Sequence, residues 1–180
     1  MGTGIVVLLN GVSSSGKSSL ARAFIELRPD FFHVSVDAFA DWINSMEDVP
    51  HGRVIPVDTE YYFHRVIAMF SDSGVNVVVD HILNNEATAK DCCRVLQNYP
   101  VLLVGVHCPI EELDRREAAR GDRNPGQTRG QLAFVHRREI YDIEVDTHKE
   151  GAAACAARVS EALVCDELPR EWLRTCASHR

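Results

Sequence analysis

The residues that most constrain this chain form one short loop between an apolar run and a helical stretch. Gly11–Ser18 reads Gly-Val-Ser-Ser-Ser-Gly-Lys-Ser and fits the pattern G-x-x-x-x-G-K-[ST] at every fixed position. Ile5–Asn10 before it is apolar enough for a buried strand, and Ser18–Ile25 after it has helical periodicity. In this strand–loop–helix context, the pattern predicts a P-loop, a backbone nest that binds phosphate groups at a helix N-terminus.

Short β-branched runs alternate with longer stretches of helical periodicity along the chain. Three of the runs are almost continuously apolar, which is typical of parallel strands that helices cover on both faces. The alternation predicts an α/β protein with the P-loop NTPase fold, in which helices flank a five-stranded parallel sheet. The predicted strands are Ile5–Asn10, Phe32–Val36, Val75–Asp80, Val101–His107 and Asp142–Asp146. The predicted helices are Gly16–Leu27, Asp37–Asn44, Thr59–Ser71, Asn85–Gln97, Ile110–Arg120, Thr128–Glu139 and Lys149–Val164.

Composition fits a single cytoplasmic domain. The 180 residues, 46% hydrophobic, indicate one compact unit over residues 1–164, followed by a tail over residues 165–180. A short docked helix and a partly ordered end are both open interpretations of the tail. The formal net charge of -7 argues against nucleic-acid binding, which needs basic patches that face phosphate. Six cysteines without C-x-x-C spacing, no basic leader and no apolar run of ~20 residues predict reduced thiols and no membrane span.

The side chains of the P-loop predict a nucleoside triphosphate and a magnesium ion as its ligands. Lys17 is placed to reach the β- and γ-phosphates as a compact cation, and we count it among the catalytic residues as well. The Ser18 hydroxyl is a ligand type that Mg²⁺ takes in such loops. We therefore expect ATP with Mg²⁺ as the cofactors. The predicted nucleotide-binding residues of this segment are Gly11, Ser13, Ser14, Ser15, Gly16, Lys17, Ser18 and Ser19.

Two carboxylates end predicted strands at the edge where an open parallel sheet binds ligands. Asp80 follows the apolar run Val77–Val79, the form of strand whose carboxylate holds the Mg²⁺ shell in P-loop proteins. Asp37 follows Val34–Val36 and is placed by chain order to accept the proton of an attacking hydroxyl. Because Asp37 also precedes a helical stretch, a helix N-cap is its structural alternative. The sequence leaves open an exchange of the two roles.

A third group of candidates is an arginine-rich stretch in the second half of the chain. Arg116 and Arg120 are four residues apart and share one helix face, and Arg123 follows the helix end. The glycines and the proline that follow predict a small lid over about residues 121–127. Phosphoryl transfer needs positive charge and exclusion of water, so we expect Arg120 and Arg123 in catalysis and Arg116 at the nucleotide. Under the alternative of a solvated helix, these arginines pair with nearby acids, which are Glu112 and Glu117.

With these motifs in place, the chain resembles the chloramphenicol phosphotransferases, which are antibiotic O-kinases of the P-loop class. The resemblance runs from about residue 4 to residue 163 and is most specific in Glu117–Arg123 and Tyr141–Glu150. It implies a nucleotide- and shikimate-kinase-like fold, ATP with Mg²⁺, and a hydroxyl of chloramphenicol or a similar molecule as acceptor. It also implies Asp37 as the general base and a position near the adenine for Thr147 and Lys149.

The chain departs from that family in two places within the matched residues, and its residues after Val164 have no counterpart in the family pattern. It reads Asp80-His81 after the third strand, where the family has a second acidic residue. A hydrogen-bonded packing role is the expected one for His81. The stretch Trp42–Tyr62, expected to line the acceptor pocket, matches poorly. Its aromatic residues would either form a cavity for a drug-like molecule or pack as core.

Two other functions stay open from the sequence. The same loop and fold would serve a kinase for another hydroxylated metabolite, such as a sugar, a nucleoside or a polyol. A nucleotide-dependent switch that acts through a partner is the non-enzyme alternative, and it should lack a formed pocket beside Asp37. A G protein is disfavoured because the chain has no N-K-x-D guanine motif.

Overall fold

The computed structural model describes residues 2–46, 55–120, 127–164 and 171–179, without the side chains of Arg120 and Gln127. The described residues form one parallel sheet with the α/β architecture expected from the sequence. Its strands are β1 (Val6–Asn10), β2 (Phe31–Ser35), β3 (Asn76–His81), β4 (Val101–His107) and β5 (Ile143–Asp146). Their order across the sheet is β2-β3-β1-β4-β5, so the first strand of the chain is the central one.

Helices connect the strands and cover both faces of the sheet. Along the described ranges they are α1 (Lys17–Leu27), α2 (Val36–Met46), α3 (Thr59–Asp72), α4 (Glu86–Leu96), α5 (Ile110–Arg120), α6 (Gln127–Gln131), α7 (Gly151–Ala162) and α8 (Glu171–Ser178). Successive residues of β1 point to opposite faces. Leu8 packs with side chains of α3, α4 and α8, whereas Leu9 packs with side chains of α1 and α7.

The strand register brings the functional candidates to one edge of the sheet. Asn10, the last residue before the P-loop, lies opposite His81 on one side and Gly105 on the other. Ser35, two residues before Asp37, lies opposite Asp80. The carboxyl ends of β1, β2 and β3 therefore place the loop and both carboxylates on the same side of the molecule.

The helix predicted over Thr128–Glu139 is wrong beyond Gln131, where α6 ends. Gly130 lies in the last turn of α6, where glycine costs more conformational entropy than other residues. The chain then continues in turns, with the N–H of Phe134 donating to the Gln131 carbonyl at 3.0 Å. His136 has a φ of 71°, a left-handed conformation that ends any helical course.

The tail contains a helix that docks on the domain. The side chain of Trp172 in α8 is only 2% exposed, and its indole N–H donates to the carbonyl of Leu96 at 3.1 Å. The N–H of Glu171 donates to the carboxylate of Asp142 at 2.9 Å. These contacts fix α8 against α4 and against the segment that leads into β5.

The cysteines of the described residues form no disulfide with one another. Four of them are buried and Cys108 is partly exposed. In the parts of the chain that the structure describes, no helix has the length and apolar character needed to cross a membrane.

Candidate active site

The loop between β1 and α1 has the backbone that its sequence predicts. Ser14 and Gly16 have left-handed φ angles of 62° and 96°, which turn the chain sharply into α1. A Cβ on Gly11 would lie 2.5 Å from a carbonyl oxygen of β4, so only glycine fits there. The hydroxyls of Ser13, Ser14 and Ser15 are buried and have no hydrogen-bond partner among the described residues. Buried hydroxyls need such partners, and phosphate oxygens in the loop would supply them.

One side of the P-loop is held by the segment that contains α6. The backbone N–H of Ser13 donates to Oε1 of Gln131 at 2.7 Å. Next to this contact, Val12 packs with Leu113 of α5 and Val135 in a small buried cluster. Gln131 was not among the sequence candidates, because no local pattern pairs it with a loop 118 residues away.

Two carbonyl groups of the P-loop are held from another side. The hydroxyl of Thr147, in the turn after β5, donates to the carbonyl of Ser15 at 2.6 Å. Nη1 of Arg116 donates to the carbonyl of Ser14 at 3.3 Å and to the Thr147 hydroxyl at 3.1 Å. Glu112 accepts from Nε of Arg116 at 2.7 Å and so orients the guanidinium. Two predicted nucleotide-binding residues therefore contact the loop backbone itself.

The cation and the hydroxyl predicted at the phosphates lie beside Asp80. Ser18 Oγ donates to Asp80 Oδ2 at 2.5 Å, and Lys17 Nζ is 3.8 Å from Asp80 Oδ1. Lys17 also donates to the carbonyl of Val12 at 3.0 Å. Hydroxyl and carboxylate oxygens are the hard ligands that Mg²⁺ prefers. The residues present therefore fit the predicted magnesium site.

Asp37 lies at the start of α2, directly after the edge strand β2. Its side chain is exposed and belongs to the first helical turn. The hydroxyl of Ser35 accepts from the N–H of Ala38 at 3.5 Å, so Ser35 stands at the position of the cap. The N-cap interpretation of Asp37 is therefore wrong.

One cavity of about 540 Å³ joins the P-loop to Asp37. Its walls come from the loop, α1, the start of α2, the end of β3, α5 and the start of α7. The lining residues are Ser13, Ser14, Gly16, Lys17, Ser18, Ser19, Arg22, Val36, Asp37, Asp80, Ile82, Arg115, Arg116, Ala119, Thr147 and Ala152. Arg22 was missed in the sequence, although its position four residues after Ser18 places it one turn along the same face of α1.

Gly11 and Ser15 belong to the loop but do not line the cavity. Three further sequence candidates lie away from it or outside the described part. Lys149 is not among the lining residues; its side chain is 75% exposed and its Nζ lies 3.3 Å from Asp146. Arg120 ends α5, and only its backbone is described. Arg123 and most of the lid predicted over residues 121–127 fall outside the described residues. The roles of these three side chains stay predictions.

Most of the described arginines in the arginine-rich stretch pair with acids. Glu112 accepts from both Arg115 and Arg116, and these hydrogen bonds lower the pKa of Glu112 to about 2. The pairing expected under the solvated-helix alternative is thus present at Glu112. For Glu117 it stays a prediction, because the side chains of Arg120 and Arg123 lie outside the described part. Glu117 is buried and accepts from the N–H and hydroxyl of Thr128, at 3.2 and 3.1 Å.

His81 has the packing role expected for it. Its ring is fully buried, and Nε2 lies 2.9 Å from Nε2 of His64. Nδ1 of His64 lies 2.7 Å from a carboxylate oxygen of Asp91. Burial lowers the pKa of His81 well below its usual value, so the ring is neutral. His81 fixes the end of β3 from the α3 side, directly beside Asp80.

The aromatic residues expected to form either a cavity or core lie on the surface. Trp42 is 57% exposed and Tyr62 36%. Both line an apolar groove of about 480 Å³ between α2 and α3, together with Phe39, Ile43, Ile55, Arg65, Val66 and Met69. Asp37 is not part of this groove.

The fold and the site define a class of enzyme. The structure is similar to the Deinococcus radiodurans tunicamycin resistance protein, with a TM-score of 0.70, 16% identity and coverage of 92% of this chain and 99% of that one. It is also similar to the Mycobacterium tuberculosis APS kinase CysC in complex with AMPPNP and APS, with a TM-score of 0.68, 17% identity and coverage of 91% and 99%. At these identities the likeness shows the fold alone. With the P-loop and the cavity, it defines a small-molecule kinase of the P-loop class.

Similarity in sequence is more specific. The family described as chloramphenicol phosphotransferase-like protein matches residues 4–164. A protein from Mycobacterium tuberculosis strain H37Rv that is named as an O-phosphotransferase is 34% identical, over 82% of this chain and 76% of the relative. The chain belongs to the chloramphenicol phosphotransferase-like family, and the resemblance found in its motifs is confirmed.

Proposed function

We propose that this protein transfers the γ-phosphoryl group of MgATP to a hydroxyl group of a small molecule, with chloramphenicol or a related antibiotic as the favoured acceptor. The observation that carries the proposal is the single cavity that Lys17 and Asp37 line together. A phosphoryl donor in the P-loop and an acceptor beside Asp37 would meet there, and such positioning supplies much of the catalysis in phosphoryl transfer.

In the proposed reaction, Asp37 takes the proton of the acceptor hydroxyl while the hydroxyl oxygen attacks the γ-phosphorus. The bond from that phosphorus to the β–γ bridging oxygen breaks, and ADP leaves. The exposure of Asp37 in the first turn of α2 supports this role, because its carboxylate is accessible to a bound acceptor. Lys17, Arg120 and Arg123 supply positive charge for the migrating group.

We assign Mg²⁺ to Ser18 and Asp80. The pair is supported by the 2.5 Å contact between its oxygens, since both are of the type that Mg²⁺ takes. When bound, the ion neutralises negative charge on the triphosphate. Lys17, with Nζ 3.8 Å from Asp80, holds a second positive charge next to the same carboxylate.

The family and the M. tuberculosis relative support the O-phosphotransferase activity, and the family name supports an antibiotic acceptor. A sugar, nucleoside or polyol is the alternative acceptor for the same chemistry. The cavity beside Asp37 argues against a nucleotide-dependent switch, which has no need of an acceptor site. We place the reaction in the cytoplasm, where ATP is available and cysteines stay reduced.

The test is a coupled ADP-release assay with MgATP and a panel of hydroxyl acceptors. The panel holds chloramphenicol, other antibiotics, sugars, nucleosides and polyols, and Lys17→Ala serves as the inactive control. We expect chloramphenicol to give acceptor-dependent ADP release that the control lacks. ADP release with a sugar, nucleoside or polyol instead would support the phosphotransfer reaction but contradict an antibiotic as the acceptor. If MgATP binds but no acceptor stimulates release, either an acceptor outside the panel or the switch is favoured.

A further inference from the structure

The turn that follows β5 lies directly against the P-loop. Thr147 in this turn is 7% exposed, and its hydroxyl bridges the Ser15 carbonyl and the Arg116 guanidinium. We propose that Thr147 is a positioning residue, which orients the peptide groups of the P-loop towards the phosphates without contacting the adenine. This inference rests on the proposed nucleotide binding and goes beyond the role that the family resemblance implies for Thr147.

The geometry of the peptide bond determines where the N–H groups of the loop point. In a trans peptide, the C=O and N–H of the same unit point in opposite directions. The Ser15 carbonyl is held outward by Thr147, so the N–H of Gly16 points to the inside of the loop. In the same way, Arg116 holds the Ser14 carbonyl outward, which turns the N–H of Ser15 inward.

The contacts inside the loop agree with this orientation. The N–H of Ser15 donates across the loop to the carbonyl of Val12 at 3.2 Å. Lys17 Nζ donates to the same carbonyl at 3.0 Å. The inward N–H and the ammonium group therefore converge on one region, where phosphate oxygens would replace the carbonyl as acceptor.

Thr147 packs closely on Gly16, and substitutions of Thr147 can test its hydroxyl separately from this packing. A Cβ on Gly16 would lie 3.0 Å from Oγ1 and 3.1 Å from Cγ2 of Thr147, so both branches of the threonine touch the loop. Valine has the same shape without the hydroxyl. Thr147→Val therefore removes the two hydrogen bonds and keeps the packing, whereas Thr147→Ser keeps the hydroxyl.

The hydrogen-bonding capacity of Thr147 argues against a nucleotide contact. A threonine hydroxyl has one hydrogen to donate. That hydrogen goes to the Ser15 carbonyl at 2.6 Å, and one lone pair accepts from Arg116. The only hydrogen of the hydroxyl and one of its two lone pairs are thus engaged with the protein.

The experiment compares the binding of MgATP, tripolyphosphate and adenosine to the wild-type protein, Thr147→Val and Thr147→Ser, by calorimetry. Tripolyphosphate has no adenine and adenosine has no phosphate, so the two probes separate the two roles. We expect Thr147→Val to weaken MgATP and tripolyphosphate by a similar factor of about ten or more, and to leave adenosine unchanged. Thr147→Ser should retain most of the affinity.

Each remaining outcome has a clear meaning. Weaker adenosine binding with unchanged tripolyphosphate binding would overturn the proposal and assign Thr147 to the adenine. Unchanged binding of all probes would also overturn it. If Thr147→Val does not fold, Arg116→Lys replaces it: this variant keeps the charge but loses the planar group that contacts Ser14, and it should weaken tripolyphosphate while leaving adenosine unchanged. A wild-type protein that binds neither MgATP nor tripolyphosphate would refute the proposed function itself, and this inference with it.

Discussion

At the scale of single residues, the two carboxylates of the site differ in their surroundings. Asp80 is the penultimate residue of the inner strand β3, is 6% exposed and contacts Ser18 and Lys17. Asp37 follows the edge strand β2 and is exposed. A buried carboxylate next to a hydroxyl and a cation suits a metal ligand, whereas an accessible one suits proton transfer with a substrate. These surroundings favour Asp37 as the base over the exchanged assignment.

We predict that Asp37→Asn lowers kcat by about a hundredfold or more, because the amide cannot accept the proton of the acceptor hydroxyl. MgATP affinity should stay unchanged, since Asp37 is not assigned to the triphosphate. Steady-state kinetics with the acceptor identified in the panel, and calorimetry for MgATP, measure the two effects. Asp41→Asn is the matched control, because Asp41 is exposed one turn further along α2 and does not line the cavity. Full activity in Asp37→Asn would show that Asp37 is not the general base.

At the scale of elements, the sequence was informative where one local pattern decides the structure. The apolar runs predicted all five strands, and the strand–loop–helix context predicted the P-loop. The end of α6 was not predictable, because the side chain of Gln131 binds Ser13 and His136 takes a left-handed φ. The contacts of Thr147 and Arg116 with the loop were also missed. They join segments that are far apart in the chain and carry no shared local pattern.

The helix α8 is an element that lies beyond the residues matched by the family. It is attached mainly through Trp172, which packs in the core on the α3 and α4 face of the sheet. Thr175 adds two backbone contacts, accepting from the N–H of Ile140 at 2.7 Å and donating to its carbonyl at 2.9 Å. The attachment therefore combines one large apolar side chain with a few hydrogen bonds.

We predict that Trp172→Ala lowers the free energy of unfolding by about 3–5 kcal/mol, the usual cost of removing a buried aromatic side chain. Trp172→Phe should cost less, since most of the packing stays. Leu173→Ala on the same helix is the control: Leu173 is 49% exposed, and its loss should change the stability by no more than about 0.5 kcal/mol. Urea unfolding followed by circular dichroism measures all three. Equal effects of Trp172→Ala and Leu173→Ala would show that α8 is not held by the tryptophan.

At the scale of the whole molecule, two buried and two half-buried histidines couple stability to pH. Burial lowers the pKa values of His33, His64, His81 and His136, that of His136 to about 4. Between about pH 6.5 and the lowered pKa values, the unfolded chain binds protons that the folded protein does not. Acid favours the state with more bound protons. The free energy of unfolding should therefore fall as the pH decreases through this window.

We predict that His136→Gln reduces this pH dependence between pH 6.5 and pH 4. Each histidine that stays neutral in the folded protein changes the free energy of unfolding by up to about 1.4 kcal/mol per pH unit, and the variant removes one such contribution. Urea unfolding of both proteins over this range measures the difference in slope. The comparison of slopes is needed because Asp142, whose pKa burial raises to about 6, acts in the opposite direction. Parallel curves for the two proteins would contradict the prediction.

The order of the strands also has a consequence for synthesis on the ribosome. β1 is the first strand to be made, yet it is the middle one, and its neighbours are β3 and β4. The nascent chain therefore presents the apolar run Val6–Leu9 without partner strands until residues 76–81 and 101–107 have emerged, an interval in which chaperones that bind extended apolar segments have access to it. The P-loop is translated before the turn that contains Thr147, and it reaches its final form only when that turn has been added.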